Sequence, residues 1–217
     1  MLALDTNAAR AADNKSAFIE EAGKYIGTFT RAEYMEKQAT GSTGIGFTFK
    51  TREGAEAQLY VNLSYQHGKR NEGGYQTVNA LMACLSLRGV GDPQPVEVEK
   101  WDKDAGQRVK TTVPGFADLM NKNIGLLIQM EIEKNSEKGL PRPTIFAPFS
   151  AESEKTASEI LDKTANPAKL EKMVQQVMNR PIVDRRPAGN RSAPAGDDYA
   201  AYAGTAGGDP FDDSIPL

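Results

Sequence analysis

Apolar and polar residues alternate with a period of two along much of the chain up to Phe149. From Gly44 to Lys50, Ile45, Phe47 and Phe49 fall on one side, and Gly46, Thr48 and Lys50 on the other. From Ala57 to Tyr65, Leu59, Val61 and Leu63 alternate with Gln58, Tyr60, Asn62 and Ser64. Successive side chains of an extended strand point to opposite faces, so each run predicts a strand with one buried and one polar face. Arg52-Glu53-Gly54 between them is a tight turn, which makes the two a hairpin. Ahead of it, Gly23 to Arg31 is rich in aromatic and β-branched residues and predicts a further strand.

The period then lengthens. Val78, Leu81, Met82 and Leu85 recur at helical spacing, with Gly89 just past the end as a stop. Pro95 to Trp101 and Gln107 to Val113 predict a second hairpin around Asp102–Gly106. Ile124 to Lys134 carries Ile124, Leu126, Ile128, Met130 and Ile132 on one side, and Arg142 to Phe149 is expected to pair with it. Thr156-Ala157-Ser158-Glu159 has capping-box spacing, and Asn166-Pro167 offers an N-cap followed by proline at the first helical position. The stripe Leu170, Met173, Val174, Val177 is expected to pack on the core. These elements predict a mainly β fold. They suit an OB-like Greek-key barrel with one inserted helix and a helical C-terminal extension, and equally a β-sandwich or an α+β domain.

Composition changes at Arg180-Pro181. Beyond it Pro, Gly, Ala and Asp dominate, with Ile182, Val183, Tyr199, Tyr202 and Phe211 the only bulky residues before Ile215-Pro216-Leu217. So little apolar surface cannot offset an ordering entropy of roughly 1–2 kcal/mol per residue. Residues 1–180 are therefore expected to fold, and 181–217 to form a disordered acidic tail.

Charge sharpens that division. The 217 residues carry 26 basic and 29 acidic side chains, a net charge of −3. Residues 181–217 hold three arginines and six aspartates, leaving 26 − 3 = 23 basic and 29 − 6 = 23 acidic residues in the body. A neutral body can still bind a polyanion if its cations gather on one face.

One cysteine, Cys84, and one histidine, His67, supply neither a disulfide nor a zinc site. Cys84 lies in the apolar run Ala80–Leu85 and is expected to be buried; His67 lies in a polar loop. No metal, cofactor or catalytic residue is expected. No run approaches the roughly 18 apolar residues of a membrane span, and MLALDTNAAR lacks the basic start of a secretory signal. The expectation is a cytoplasmic protein without a membrane partner.

Cations and flat rings occur together in four places, the combination that unpaired nucleotides require. They are Lys24, Tyr25, Phe29 and Arg31, with Tyr34 and Lys37 past them; Lys50, Arg52 and Tyr60; Tyr65, Lys69, Arg70 and Tyr75; and Lys100, Trp101, Arg108 and Lys110. Phe29, Phe47 and Phe49 are expected in the core. Tyr60 sits on the polar face of its strand and Trp101 ends a strand among charges, so these two are the favoured stacking residues. Tyr25 is a further candidate, with Lys24, Arg31, Lys50, Arg52, Lys69, Arg70 and Lys100 as phosphate contacts.

The chain ends Asp212-Asp213-Ser214-Ile215-Pro216-Leu217. This resembles the acidic tip of bacterial single-stranded DNA-binding proteins, Asp-Asp-Asp-Ile-Pro-Phe, departing from it at Ser214 and Leu217. The body resembles phage-encoded single-stranded DNA-binding proteins, in Glu21–Gly27, Val78–Leu85, Ile145–Phe149 and Ala157–Leu161. The resemblance implies an OB-like core that binds single-stranded DNA with little sequence preference. It also implies a role in replication or recombination, with Asp212, Asp213, Ile215, Pro216 and Leu217 recruiting proteins of those processes. The physical counterpart of such a tip is a shallow apolar pocket rimmed by Arg or Lys, which captures the terminal carboxylate. A strand-annealing protein and a protein-only adaptor or inhibitor are the alternatives, and self-association into a homo-oligomer is left open.

Overall fold

The computed structural model describes residues 17–102 and 105–187. Eight strands join in one sheet: β1 Gly23–Lys37, β2 Ser42–Thr51, β3 Glu56–Ser64, β4 Gln94–Asp102, β5 Gln107–Gly115, β6 Asn123–Ile132, β7 Arg142–Phe149 and β8 Ile182–Asp184. The helices are α1 Glu72–Cys84, α2 Ala157–Leu161 and α3 Lys169–Asn179, with short 3-10 turns at Gln66–Gly68 and Ala117–Leu119. The fold is mainly β, as the period-two runs predict.

β1 organises the sheet. β2 runs antiparallel along it from Gly27 to Lys37, while β6 pairs with its first half, from Gly23 to Thr28. Beyond β6, β5 joins the same edge with Glu33 opposite Gly115. β3 continues from β2, β4 from β5 and β7 from β6, all antiparallel.

The β1–β2 register slips between Phe29 and Arg31, leaving Thr30 as an extra residue. In an unbroken strand Phe29 and Arg31 would share a face. The bulge sends Phe29 inward, opposite Phe49, and Arg31 outward, opposite Thr48. Phe29 then packs on Phe47, with ring centroids 4.5 Å apart, and edge-on to Phe49 at 5.7 Å. Ile45, Leu59, Leu81, Ile124, Leu126 and Ile128 complete this core, and Cys84 of α1 is buried in it. Leu127 points the other way, where Ala147 and Val177 bury it and Met173 and Val174 pack alongside. The apolar stripe of α3 thus covers the second face of β6.

Two local features differ from the sequence reading. The Thr156–Glu159 capping box forms, but α3 is not capped by Asn166. Glu159 does this instead: its Oε1 accepts from the backbone N–H groups of Ala168 and Lys169, each at 2.8 Å. Its Oε2 accepts from the N–H of Thr156 at 2.9 Å and from its hydroxyl at 2.8 Å. A single buried carboxylate closes the N-terminal ends of two helices.

The second difference is the boundary at Arg180-Pro181, which falls too early. β8 pairs in parallel with β6, Met130 opposite Ile182, and continues the β6 edge where β1 ends. Gln129 donates to the Arg180 carbonyl at 2.8 Å, and Arg185 grips both carboxylate oxygens of Glu131 at 2.7 Å. Arg186 is buried against Asp184. Backbone pairing along β6 orders a segment whose own composition is poor in apolar residues. No helix among the described residues is long and apolar enough to cross a membrane.

Burial alone would raise the Glu159 carboxyl; hydrogen bonds from Lys169, Thr156 and Ala168 outweigh it and hold the group down at about 2. With the folded value below the ordinary 4.5, this carboxylate stabilises the fold fully above about pH 4.5. Its contribution is lost as pH falls toward 2. Glu159→Ala should cost about 2–3 kcal/mol by orphaning buried donors, lowering Tm by roughly 5–10 °C at neutral pH. A calorimetric pH series should show the difference from wild type shrinking below pH 4.

Candidate nucleic-acid interface

The outward face of β1–β3 carries Arg31, Glu33 and Met35 on β1, Gly44, Gly46, Thr48 and Lys50 on β2, and Glu56, Gln58 and Tyr60 on β3. Its polar groups bond to one another. Arg31 is 3% exposed, donates to Gln58 Oε1 at 2.8 Å and stands 3.4 Å from Glu33. Thr48 donates to the same Gln58 oxygen at 2.9 Å. Tyr60 lies across the neighbouring strand, since a Cβ at Gly44 would stand 2.2 Å from its hydroxyl. Burial raises the Tyr60 phenol above its usual value.

The β4–β5 hairpin forms an arm over this face. Its backbone joins β1 at its base, through the Glu33–Gly115 pair and the bond from Phe116 N–H to the Ala32 carbonyl at 2.8 Å, and Val98 and Val113 in the half nearer that base are buried in the core. Further out, Lys100 reaches Glu33 at 3.2 Å. Near the turn, Arg108 bonds both carboxylate oxygens of Glu56, Nη1 to Oε1 at 3.0 Å. β1 and β2 stand between β5 and β3 in the sheet, so Arg108 can meet Glu56 only if the arm bends back across the outward face. Burial would raise the Glu56 carboxyl, but Arg108 and then Lys50, 3.5 Å away, hold it below the usual carboxylate range.

Arg31, Lys50, Tyr60, Lys100 and Trp101 are thereby gathered on one face and the arm that crosses it. Arg52 stands in the exposed β2–β3 turn, two residues beyond Lys50. Trp101 is 38% exposed and lies directly opposite Arg108 in the arm. At the other end of β3, Lys69 and Arg70 share a surface with Tyr65 and Tyr75, which are 44% and 47% exposed. The Arg70 guanidinium sits 4.4 Å from the Tyr75 ring centre while also pairing with Glu72 at 2.8 Å. Planar cations and open ring faces meet here as they would on a stacked base.

Lys24 and Tyr25 stand apart from both groups. Lys24 pairs with Glu154 at 2.7 Å and lies 6.0 Å from the Phe149 ring centre. Tyr25 packs against the core and donates to the Glu21 carbonyl at 3.0 Å. The tip residues Asp212, Asp213, Ile215, Pro216 and Leu217 lie outside the described residues. Sequence reasoning passed over Glu33 and Glu56, whose role depends on which cations the fold brings to them. It also ranked Tyr65 and Tyr75 below Tyr60, although their setting beside Lys69 and Arg70 was the available signal.

Burial pushes the Cys84 thiol up to about 12, which keeps it protonated and unreactive at neutral pH. Among the described residues no three His, Cys, Asp or Glu side chains are arranged to hold a metal ion.

The fit of Tyr60 over Gly44 leaves no room for a methyl group. Gly44→Ala should expel the ring from the face and cost about 1–3 kcal/mol through overpacking. A urea titration measures that loss, and an unchanged midpoint would show that the ring is not seated there.

The sequence matches no protein-family model and no curated protein.

Proposed function

We propose that this chain binds single-stranded DNA with little sequence preference and recruits replication or recombination proteins through its acidic C-terminal tip. The observation that carries the reading is the setting of the exposed rings. Trp101, Tyr65 and Tyr75 are the exposed large aromatic residues among those described, and each stands beside a cation: Arg108, Lys69 and Arg70. A solvated ring is costly unless something stacks on it, and a base is a flat partner whose phosphates the neighbouring cations would hold. Tyr60, midway along β3, would link the two ring groups into one track of roughly 27 Å, the length of that strand.

The connectivity supports an OB-like core. β1 is shared between β2–β3 on one side and β6–β7 on the other, and α1 lies between β3 and β6 in the chain. β3 and β7 approach one another, with α1 packed on both. On this reading the arm is an insertion between the helix and the fourth barrel strand. Single-strand binders of this architecture use the outward face of their central strands, the face that here carries Tyr60. The resemblance of the body and tip to phage and bacterial single-stranded DNA-binding proteins points the same way.

Fluorescence anisotropy with labelled oligothymidine tests the proposal. Binding should weaken steeply with salt as counterions are released from phosphates, and single strands should be preferred over duplex. Replacing Tyr60, Tyr75 or Trp101 by alanine should weaken binding by roughly 5- to 150-fold each, about 1–3 kcal/mol per lost stack. No binding in dilute buffer, even with the tail removed, would leave a protein-only adaptor as the better reading.

The tail supplies a separate test. Tethered aspartates would compete with DNA for the cations at high effective concentration. Removing residues 197–217 should tighten oligothymidine binding at low salt and abolish partner recruitment. Equal affinities of the full and shortened chains would reject the competition.

A further inference from the structure

The ion pairs that close the arm share one plan. Glu33 lies between Arg31 of the sheet and Lys100 of the arm, at 3.4 and 3.2 Å. Glu56 lies between Lys50 of the sheet, at 3.5 Å, and Arg108 of the arm. Both glutamates are more than nine-tenths buried, and each holds one cation from the sheet and one from the arm.

We infer that Glu33 and Glu56 occupy the positions that backbone phosphates take, and that a single strand is seated beneath the β4–β5 arm. The inference rests on the single-stranded DNA reading and assigns the seat within it. A phosphate oxygen replaces each carboxylate on the arm's cation. Arg108 gives up a two-pronged carboxylate contact for the equivalent phosphate contact, and Lys100 trades one point contact for another.

The exchange leaves no buried charge stranded, which is where the cost of breaking a buried pair arises. Glu33 keeps Arg31, and Glu56 keeps Lys50. The outer half of the arm is able to lift because its backbone joins the body at Glu33–Gly115 and the adjoining Phe116 bond, and its buried apolar residues, Val98 and Val113, lie in the half nearer that base. The face beneath it offers a passing strand a ring, since Tyr60 lies across Gly44 and Met35 covers Gly46. The two glutamates therefore set a threshold. A ligand must present anions spaced to satisfy both arm cations, as a flexible polyphosphate chain does and an isolated anion does not.

Two substitutions test this in the full-length protein. Glu56→Gln removes the charge, whereas Glu56→Asp keeps it but shortens the side chain by one methylene and draws the carboxylate away from Arg108. Both should release the arm and tighten oligothymidine binding at low salt by about fivefold. Glu97→Gln, which breaks the exposed pair with Lys110 on the arm, is the control for net charge and should change affinity less than twofold. The single tryptophan of the chain, Trp101, reports the arm directly: acrylamide quenching should rise in both Glu56 variants and, in wild type, change on adding oligothymidine. If wild type binds oligothymidine but neither Glu56 variant binds more tightly than Glu97→Gln, the seat is not under the arm and the DNA reading survives. If no form binds oligothymidine, the DNA reading itself fails and takes this inference with it.

Discussion

A single extra residue in β1 sets the character of the whole outward face. Without the bulge at Thr30, the regular alternation that buries Phe29 would also bury Arg31 and Glu33 among the phenylalanines. A guanidinium and a carboxylate in that setting would cost several kcal/mol each. The bulge reverses the alternation within two residues. Ala32 then faces the core, while Arg31 and Glu33 join Thr48, Gln58 and Glu56 outside. Bulges also increase local twist, which helps one long strand serve β2 along one edge and two successive partners along the other.

The same arrangement pairs off the charges of the neutral body. Cations that the sequence suggests as an open basic patch are largely met by carboxylates: Lys24 by Glu154, Arg31 and Lys100 by Glu33, Lys50 and Arg108 by Glu56, Arg70 by Glu72 and Lys110 by Glu97. Three of these seven pairs, Lys24–Glu154, Arg70–Glu72 and Lys110–Glu97, are exposed on both sides and contribute little to stability, about 0–1 kcal/mol each. Their consequence is for binding. Under the proposed function, a polyanion would meet a surface whose cations are largely occupied, and its association would exchange carboxylate for phosphate.

Legibility divides along the reach of the interactions. Strand identity came through because Ile45, Phe47 and Phe49 alternate within a few residues, and the Thr156–Glu159 box because both its bonds close within one turn. The β2–β3 and β4–β5 hairpins were readable for the same reason. What escaped depends on partners distant in sequence. β1 runs on to Lys37 because β2 pairs with it throughout, while its own period is broken at Thr30. β8 forms on the edge of β6, across more than fifty residues of chain. The helix cap passed from Asn166 to Glu159 because folding brings the two helix ends to one carboxylate. The arm's closure over the sheet depends on Arg108 and Glu56, whose pairing no periodicity encodes.

That division extends to the candidate site. Residue type suggested its chemistry, since rings beside cations are visible in any sequence. Residue type could not separate Tyr25, anchored to the Glu21 carbonyl and the core, from Tyr60, spread across Gly44 on the outward face; both lie in strands beside basic residues. Glu33 and Glu56 are the sharper case. In sequence they are acidic positions that argue against binding a polyanion, and only in the fold does each bridge two cations. An acidic residue inside a basic site lowers affinity and raises the demand on the ligand, which must satisfy the arm and the sheet together. Discrimination between an extended polyanion and a small one would then arise from the same two carboxylates that bridge the cations of sheet and arm.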